Sequence, residues 1–388
     1  MRVDLHFYGG VPMSDAGRSG PAPTDRRYGN DQVIAGYRNL EHWAGTADAL
    51  GYDTFWLTEH HFQYEGYEVV PNLIQFGLHL AGRTRRLRQG QMFNVVPQWH
   101  PLRLAEDFAL ADILSGGRME FGVGRGTVPR EARNLGSVVA SGDNAMSRRA
   151  DDLNREMFEE AMEVIKLAWS QERFSYSGKH FTFPVPGIPD RGSTVTELTL
   201  IPRPTRDIPV YQPISPGRTL EYCARVGHRA VLALATPAGT RRLWDEYARV
   251  AAEHGRELAP GADRLLNIHV HVGPTRERAF ATARDGHDEF VRFLAPYGRF
   301  RGYAGPGGSP PPFDYAPTLE DSVGQQVMAI GSVDDVVDVL ATHADLLDLE
   351  HLVLFPDLPG LTREQLDEQL HLIAAEVLPR LGVRLAAG

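Results

Sequence analysis

Short apolar runs recur along the chain, and behind each comes a longer stretch whose apolar positions return every three or four residues. The runs cover residues 3–8, 53–57, 87–96, 119–123, 208–214, 230–235, 265–272 and 351–355. Their length and composition predict buried strands. The stretches behind them include residues 33–50, 102–114, 154–169, 218–226, 241–254 and 332–343, whose spacing predicts amphipathic helices. Strand–helix alternation implies parallel strands joined by crossovers. An open doubly wound sheet can be built from these elements, but eight units favour a closed (β/α)8 TIM barrel, with the whole of residues 1–388 as one domain.

Two stretches break the alternation. Residues 136–149 are polar and small, and form an insertion after strand 4. Residues 296–323 carry "YAGPGGSPPPF", with too much Gly and Pro for a helix or a central strand. Each reads either as a surface loop or as a lid over the barrel mouth. Residues 186–204 form a further excursion, predicted as a small hairpin.

Composition narrows the function classes. A net charge of −10 argues against a nucleic-acid-binding surface. The single cysteine, Cys223, excludes an intrachain disulfide and a cysteine zinc site. No signal-like start and no apolar run of about 18 residues is present, so a cytoplasmic protein without membrane contact is expected.

A barrel places its chemistry at the carboxyl ends of its strands. "FWLTEHHF" ends the second strand with Glu59, His60 and His61. Neighbouring residues on an extended chain point to opposite sides, so the two histidines do not share one metal. His269 and His271 have ligand-like spacing but lie inside a strand, and no metal is assigned. One histidine is expected to face the mouth as a general base and the other to face outward, in packing or at a subunit contact. The alternative is that both are paired core histidines.

"GGRMEFGVGRG" offers Gly122, Gly124 and Gly126 for close backbone approach, with Arg125 as a fixed cation. It lacks dinucleotide-fingerprint spacing and reads equally as a tight turn. "PISPGRTLEYCARVG" sets Ser215, Gly217, Arg218 and Thr219 at a helix start, which suits a phosphate. Ordinary capping by Ser215 or Thr219 is the plainer reading. Arg155 is either a second cation for that phosphate or a solvated surface residue. In "GQMFNVVPQWHPLRLAEDFALADILSGGR", Arg103, Asp107 and Asp112 are expected on exposed parts of a helix, and Glu106 is free to pair with a histidine across an interface. Phe7, Phe93 and Trp99 are expected to line the mouth and exclude water.

"GYDTFWLTEHHF", "VVPQWHPLRLAEDFALADILSGGRMEFGVGRG" and "IPVYQPISPGRTLEYCARVG", taken in order, resemble the bacterial luciferase-like flavin-dependent monooxygenases. The resemblance runs from about residue 3 to 381 and is thin over 137–150 and 296–325. It implies a barrel that takes reduced FMN (FMNH2) from a separate flavin reductase, forms a C4a-peroxyflavin with O2 and oxygenates a small organic substrate such as an aldehyde, a ketone or a natural-product intermediate. It also implies that His60 is the active-site acid/base, with Glu59 beside it. Arg125, Arg155, Ser215, Gly217, Arg218 and Thr219 match the phosphate-binding elements. Met92, Phe93 and Asn94 match the segment below the flavin ring, with Met92–Phe93 at a cis peptide. His61 and Glu106 match residues that meet across a homodimer interface. Two departures, Gly124 in place of a cysteine and Ser215-Pro216 in place of an acid-serine pair, point to a monooxygenation other than the light-emitting one. Relatives within the superfamily leave two alternatives: a deazaflavin-dependent hydride-transfer oxidoreductase and a non-catalytic flavin-binding barrel.

Overall fold

The computed structural model describes residues 1–139, 145–305 and 309–386. Eight strands form the barrel: β1 (Arg2–Phe7), β2 (Thr54–Leu57), β3 (Arg88–Gln91), β4 (Met119–Gly124), β5 (Val210–Pro213), β6 (Arg229–Ala233), β7 (Arg264–Val272) and β8 (His351–Phe355). Every pairing in the ring is parallel, β1 pairs with both β2 and β8, and the β4–β5 pairing completes the closure. The expected (β/α)8 barrel is therefore the observed one.

The surrounding helices are α1 (Asn30–Leu50), α2 (Leu73–Ala81), α3 (Pro101–Leu114), α4 (Ala145–Ser170), α5 (Arg218–Val226), α6 (Pro237–Glu253), α7 (Arg276–Leu294), α8 (Val333–Leu347) and α9 (Arg363–Leu372). Local chemistry starts several of them. Asn72, Thr236 and Thr275 accept hydrogen bonds from the first turns of α2, α6 and α7. Ser332 with Asp335, and Thr362 with Gln365, build reciprocal caps on α8 and α9. Among the described residues, no helix is long and apolar enough to cross a membrane.

Apolar side chains pack in two places. One layer joins the outside of the strands to the helices, with Phe7, Leu40, Trp43, Phe55, Trp244 and Leu366 in it. The barrel interior holds Trp56, Met92, Tyr211, Val231, Leu265 and Val353. Its amino end is closed by charge: buried Asp4 receives the Trp56 Nε1–H at 2.6 Å and pairs with His351 and Arg2, while Arg2 reaches Glu120 at 3.1 Å.

The structure corrects several expectations. The run over 87–96 is not one strand: β3 stops at Gln91, the Met92–Phe93 peptide is cis, and pairing resumes at Asn94–Val95 against β4. Met328–Gly331 is an additional parallel strand on β7. Phe7 faces the helices, stacked on Phe55 and Trp43, because its neighbour His6 takes the inward direction. Asp112 is buried, not exposed; it binds Arg206 at 2.8 and 3.1 Å and the Met119 N–H at 3.3 Å. The hairpin expected near 186–204 is Pro189–Asp190 with Ser193–Thr194, and a second joins Tyr176–Ser177 to Thr182–Phe183. The lid stretch ends in a helix, Leu319–Gly324, capped by Thr318 and Asp321. Parts of both insertions, residues 140–144 and 306–308, lie outside the described residues.

Candidate active site

The carboxyl ends of β2, β3, β4 and β5 bring the sequence-selected residues to one end of the barrel, in two groups of opposite electrostatic character.

The first group surrounds His60. Its Nδ1 lies 3.0 and 3.2 Å from the two oxygens of Glu131, and its Nε2 lies 3.0 Å from Glu68 Oε2. The Glu68 contact is a close charge pair without hydrogen-bond alignment, since Oε2 has no hydrogen-bond partner. Burial alone would lower the histidine's pKa. The charge of Glu68 and the bond and charge of Glu131 more than offset that, and raise it to about 9. His60 is thus a cation at neutral pH, an acid rather than the base expected from its residue type. Burial pushes Glu68 up from the usual carboxylate range. Burial pushes Glu131 the same way, yet the His60 bond holds it below.

Glu131 stands on a short helix, Pro129–Asn134, inserted after β4. Gln63 Nε2 donates to it at 2.9 Å, and Arg130 grips Glu65 with two 2.9 Å bonds. This pairing fixes the loop after β2 against the insertion, and the loop carries Glu68. Sequence reasoning missed Glu68 and Glu131, because nothing in "YEVV" or "VPREARN" marks an acid that will be buried against His60, and Glu131 lies 71 positions from it. From the lid stretch, the positive charge of Arg299 acts on both Glu68 and Tyr8.

Glu59 and His61 form a separate unit. Glu59 is buried; it accepts from Val95 N at 3.2 Å and Trp99 Nε1 at 3.0 Å, and lies 3.1 Å from His61 Nε2. Its bonds bind the end of β2 to the segment beyond the cis peptide. Trp99 is oriented by this carboxylate. Glu106 pairs with Arg103 within α3 at 2.9 Å.

The second group is cationic. Arg125 Nη1 donates to Asp151 at 2.8 Å and Asn154 at 3.3 Å. Arg155, 8% exposed and so not a solvated surface residue, reaches Thr219 Oγ1 and Asp151 weakly, at 3.4 and 3.5 Å. Its Nε is buried without a partner. Burial and the neighbouring Arg125 lower its pKa. Arg218 donates to Asp152 at 2.5 Å from the first turn of α5. That helix begins at Gly217, whose φ of 82° belongs to the left-handed region, and no side chain caps it. Neither Ser215 nor Thr219 does the capping, so free N–H groups, a hydroxyl and three guanidinium groups share one place.

Met92, Phe93 and Asn94 cross the cis peptide and form a floor beside the end of β4. A Cβ on Gly122 would fall 1.7 Å from the Gln91 carbonyl oxygen, so β4 approaches this floor as closely as it does only with glycine. Asn94 Nδ2 donates to Gly122 O at 3.0 Å, while Asn94 Oδ1 and Gln91 Nε2 have no partner.

Residues 17–349 match the family described as luciferase-like monooxygenase. The chain is 28% identical over 368 residues to the 4-hydroxyprotoasukamycin monooxygenase of Streptomyces nodosus subsp. asukaensis, covering 91% of this chain and 88% of that one. It is 26% identical over 249 residues to the alkanal monooxygenase alpha chain of the Kryptophanaron alfredi symbiont, covering 64% and 63%. Among solved structures, it is similar to the oxygenating constituent of the 3,6-diketocamphane monooxygenase from Pseudomonas putida, a type II Baeyer-Villiger monooxygenase in complex with FMN. That likeness has a TM-score of 0.72 at 20% identity and covers 98% of both chains.

Proposed function

The chain belongs to the luciferase-like monooxygenase family, and from that premise we propose that it is a two-component oxygenase that takes FMNH2 from a separate reductase and inserts one atom of O2 into a small organic substrate. The observation that carries the cofactor reading is the cationic group: a buried guanidinium nitrogen without a partner beside an uncapped helix start is the chemistry a phosphate monoester completes. Arg125, Arg155, Arg218 and Thr219 hold that phosphate, with the backbone at Gly217 as further donor and Ser215 at the rim. Met92, Phe93 and Asn94 support the ring system from the floor.

Bound reduced flavin supplies the activation of O2. The protein's residues do the rest. His60 keeps a proton on Nε2 and offers it to oxygen at the reacting centre, because its contact with Glu68 leaves that proton outside an aligned bond. Glu131 holds the ring from the other side and fixes its orientation. Glu59 acts through position, by anchoring Val95 and Trp99. Met92, Phe93 and Trp99 exclude water from the floor.

The same reading includes a homodimer through α3, whose Leu110, Ile113 and Leu114 are exposed. His61 is held by Glu59 of its own chain and Glu106 by Arg103, so these two enter an interface already oriented.

The test is anaerobic mixing with FMNH2 followed by O2, with flavin absorbance followed by stopped flow. Slow return of oxidised flavin, with substrate-dependent product, is the expected result. Return as fast as for free FMNH2, with all the oxygen appearing as hydrogen peroxide, refutes it. Tight binding of a reduced deazaflavin in place of FMN then identifies hydride transfer instead.

A further inference from the structure

One fully buried carboxylate outside the two groups gathers the loops that surround His60. Glu289 stands in the last two turns of α7. It accepts from the Gly17 N–H at 2.8 Å and from Arg26 Nη2 at 3.0 Å, both on the loop after β1, and from the Tyr67 hydroxyl on the loop after β2. Arg292 of α7 lies 3.5 Å from it and donates to the Gly17 carbonyl. Arg26 is itself buried and shared with Asp15, which the Tyr28 hydroxyl approaches at 3.2 Å. Of the other charges on this stretch of α7, Asp288 pairs with Arg18 at 2.9 Å and Asp285 lies beside Gly17. The Tyr67 ring stacks on Phe293 of α7, with centroids 4.1 Å apart, and packs with Met13.

A buried charge is tolerated only where donors are aimed at it. Here the donors come from two mouth loops, so one carboxylate fastens both loops to α7. The loops are also laced to each other on either side of Tyr67, by Val11 N to Gly66 O at 2.8 Å and Val69 N to Gly9 O at 3.1 Å. The residue after Tyr67 is Glu68. Tyr67 faces α7, and Glu68 faces His60 Nε2 at 3.0 Å. Thr58 supplies a side-chain hydrogen bond to the Glu68 carboxylate, but its contact with His60 is not an aligned bond. The separation therefore depends on where the chain at Tyr67 is held. Attraction between the two charges falls as that separation grows. The charged groups acting on His60 are Glu68, Glu131 and Glu59. Glu131 stands on the insertion after β4, and Glu59 is anchored by Val95 and Trp99. Glu68 is the one whose loop Glu289 holds.

We propose that Glu289 is a positioning residue for His60: through Tyr67 and Arg26 it clamps the loops after β1 and β2 to α7, and so keeps the Glu68 carboxylate against His60 Nε2. This rests on the reading of His60 as the proton donor and identifies what holds the donor's counter-charge in place.

The experiment reads the His60 pKa in the full chain labelled with ¹⁵N-histidine, without flavin, titrated through the alkaline range. The His60 signal is the one lost in His60→Ala. Tyr67→Phe removes one hydroxyl and leaves the ring on Phe293. Arg26→Met combined with Glu289→Met removes the ion pair without leaving a buried charge unpaired, and the long-range effects of the two lost charges on His60 oppose each other. Each change is expected to lower the His60 pKa by about one unit. Neither lowers it further in a Glu68→Gln background, because both act through that carboxylate. Should one of the two changes prevent folding, the other decides. An unchanged His60 pKa in a folded variant, or a fall of the same size with and without the Glu68 carboxylate, overturns the proposal. The titration needs neither flavin nor O2, so its failure is distinct from failure of the oxygenation reading.

Discussion

The His60 group and the arginine group stand at the same end of one barrel, yet they balance charge in opposite ways. Around His60, two buried carboxylates enclose one imidazole, and each ring nitrogen already faces an acid. Around Arg155, three arginines share Asp151 and Asp152, and a buried guanidinium nitrogen is left over. The first group is electrostatically complete and has a proton to give. The second is incomplete, with a buried guanidinium nitrogen that no described group satisfies. On the function proposed above, the difference teaches that a binding site shows in what it lacks, whereas an acid–base site shows in what its neighbours impose on it.

The sharpest break of this comparison is His60→Ala. Product formed per O2 consumed falls about 100-fold, in the range for loss of a positioned acid. FMN affinity, read by fluorescence quenching, stays within about twofold of wild type, because the arginine group is untouched. A matching loss of FMN affinity would merge the two groups into one. Next in size is Arg155→Met, which weakens FMN by about 30-fold, as for loss of charge-assisted bonds to a phosphate. Riboflavin, which has no phosphate, binds the variant and wild type alike; equal weakening of both flavins would remove the phosphate from the arginine group.

The smallest effect is on pH. His60 has a raised pKa, so its proton is fully held below the ordinary histidine range and is lost as pH rises through about 9. The rate of product formation therefore has a descending limb near that pH. Glu68→Gln removes a raising charge and moves the limb down by about one unit. A limb that stays in place would show that Glu68 does not set the state of His60.

Much of the fold was legible along the chain. Eight apolar runs with helical stretches behind them led to the closed barrel, because parallel strands buried on both faces have to be apolar throughout. Met328–Gly331 escaped notice because four apolar residues directly before a helix cap look like part of the helix approach. The position of Phe7 escaped because a run apolar at every residue does not reveal which alternate positions face inward. Of the candidate site, the residues that carry local marks were singled out along the chain, and folding brings them to one end of the barrel: the Glu59-His60-His61 cluster, the glycine–arginine turn and the helix start at Gly217.

What the sequence by itself determined is the barrel, the end at which its chemistry gathers, and the residues at that end with unusual local chemistry. These follow from periodicity and from turn and capping preferences, which act over a few residues. Tertiary structure alone decided the charge of His60, the unpartnered Nε of Arg155 and the unpaired atoms of His6 and His269. Those depend on which distant groups closure brings within about 3 Å, or fails to bring: Glu131 sits 71 positions from His60 and Asn267 sits 261 from His6. A pKa or an unsatisfied hydrogen bond belongs to a neighbourhood, and the neighbourhood exists only once the ring of strands has closed.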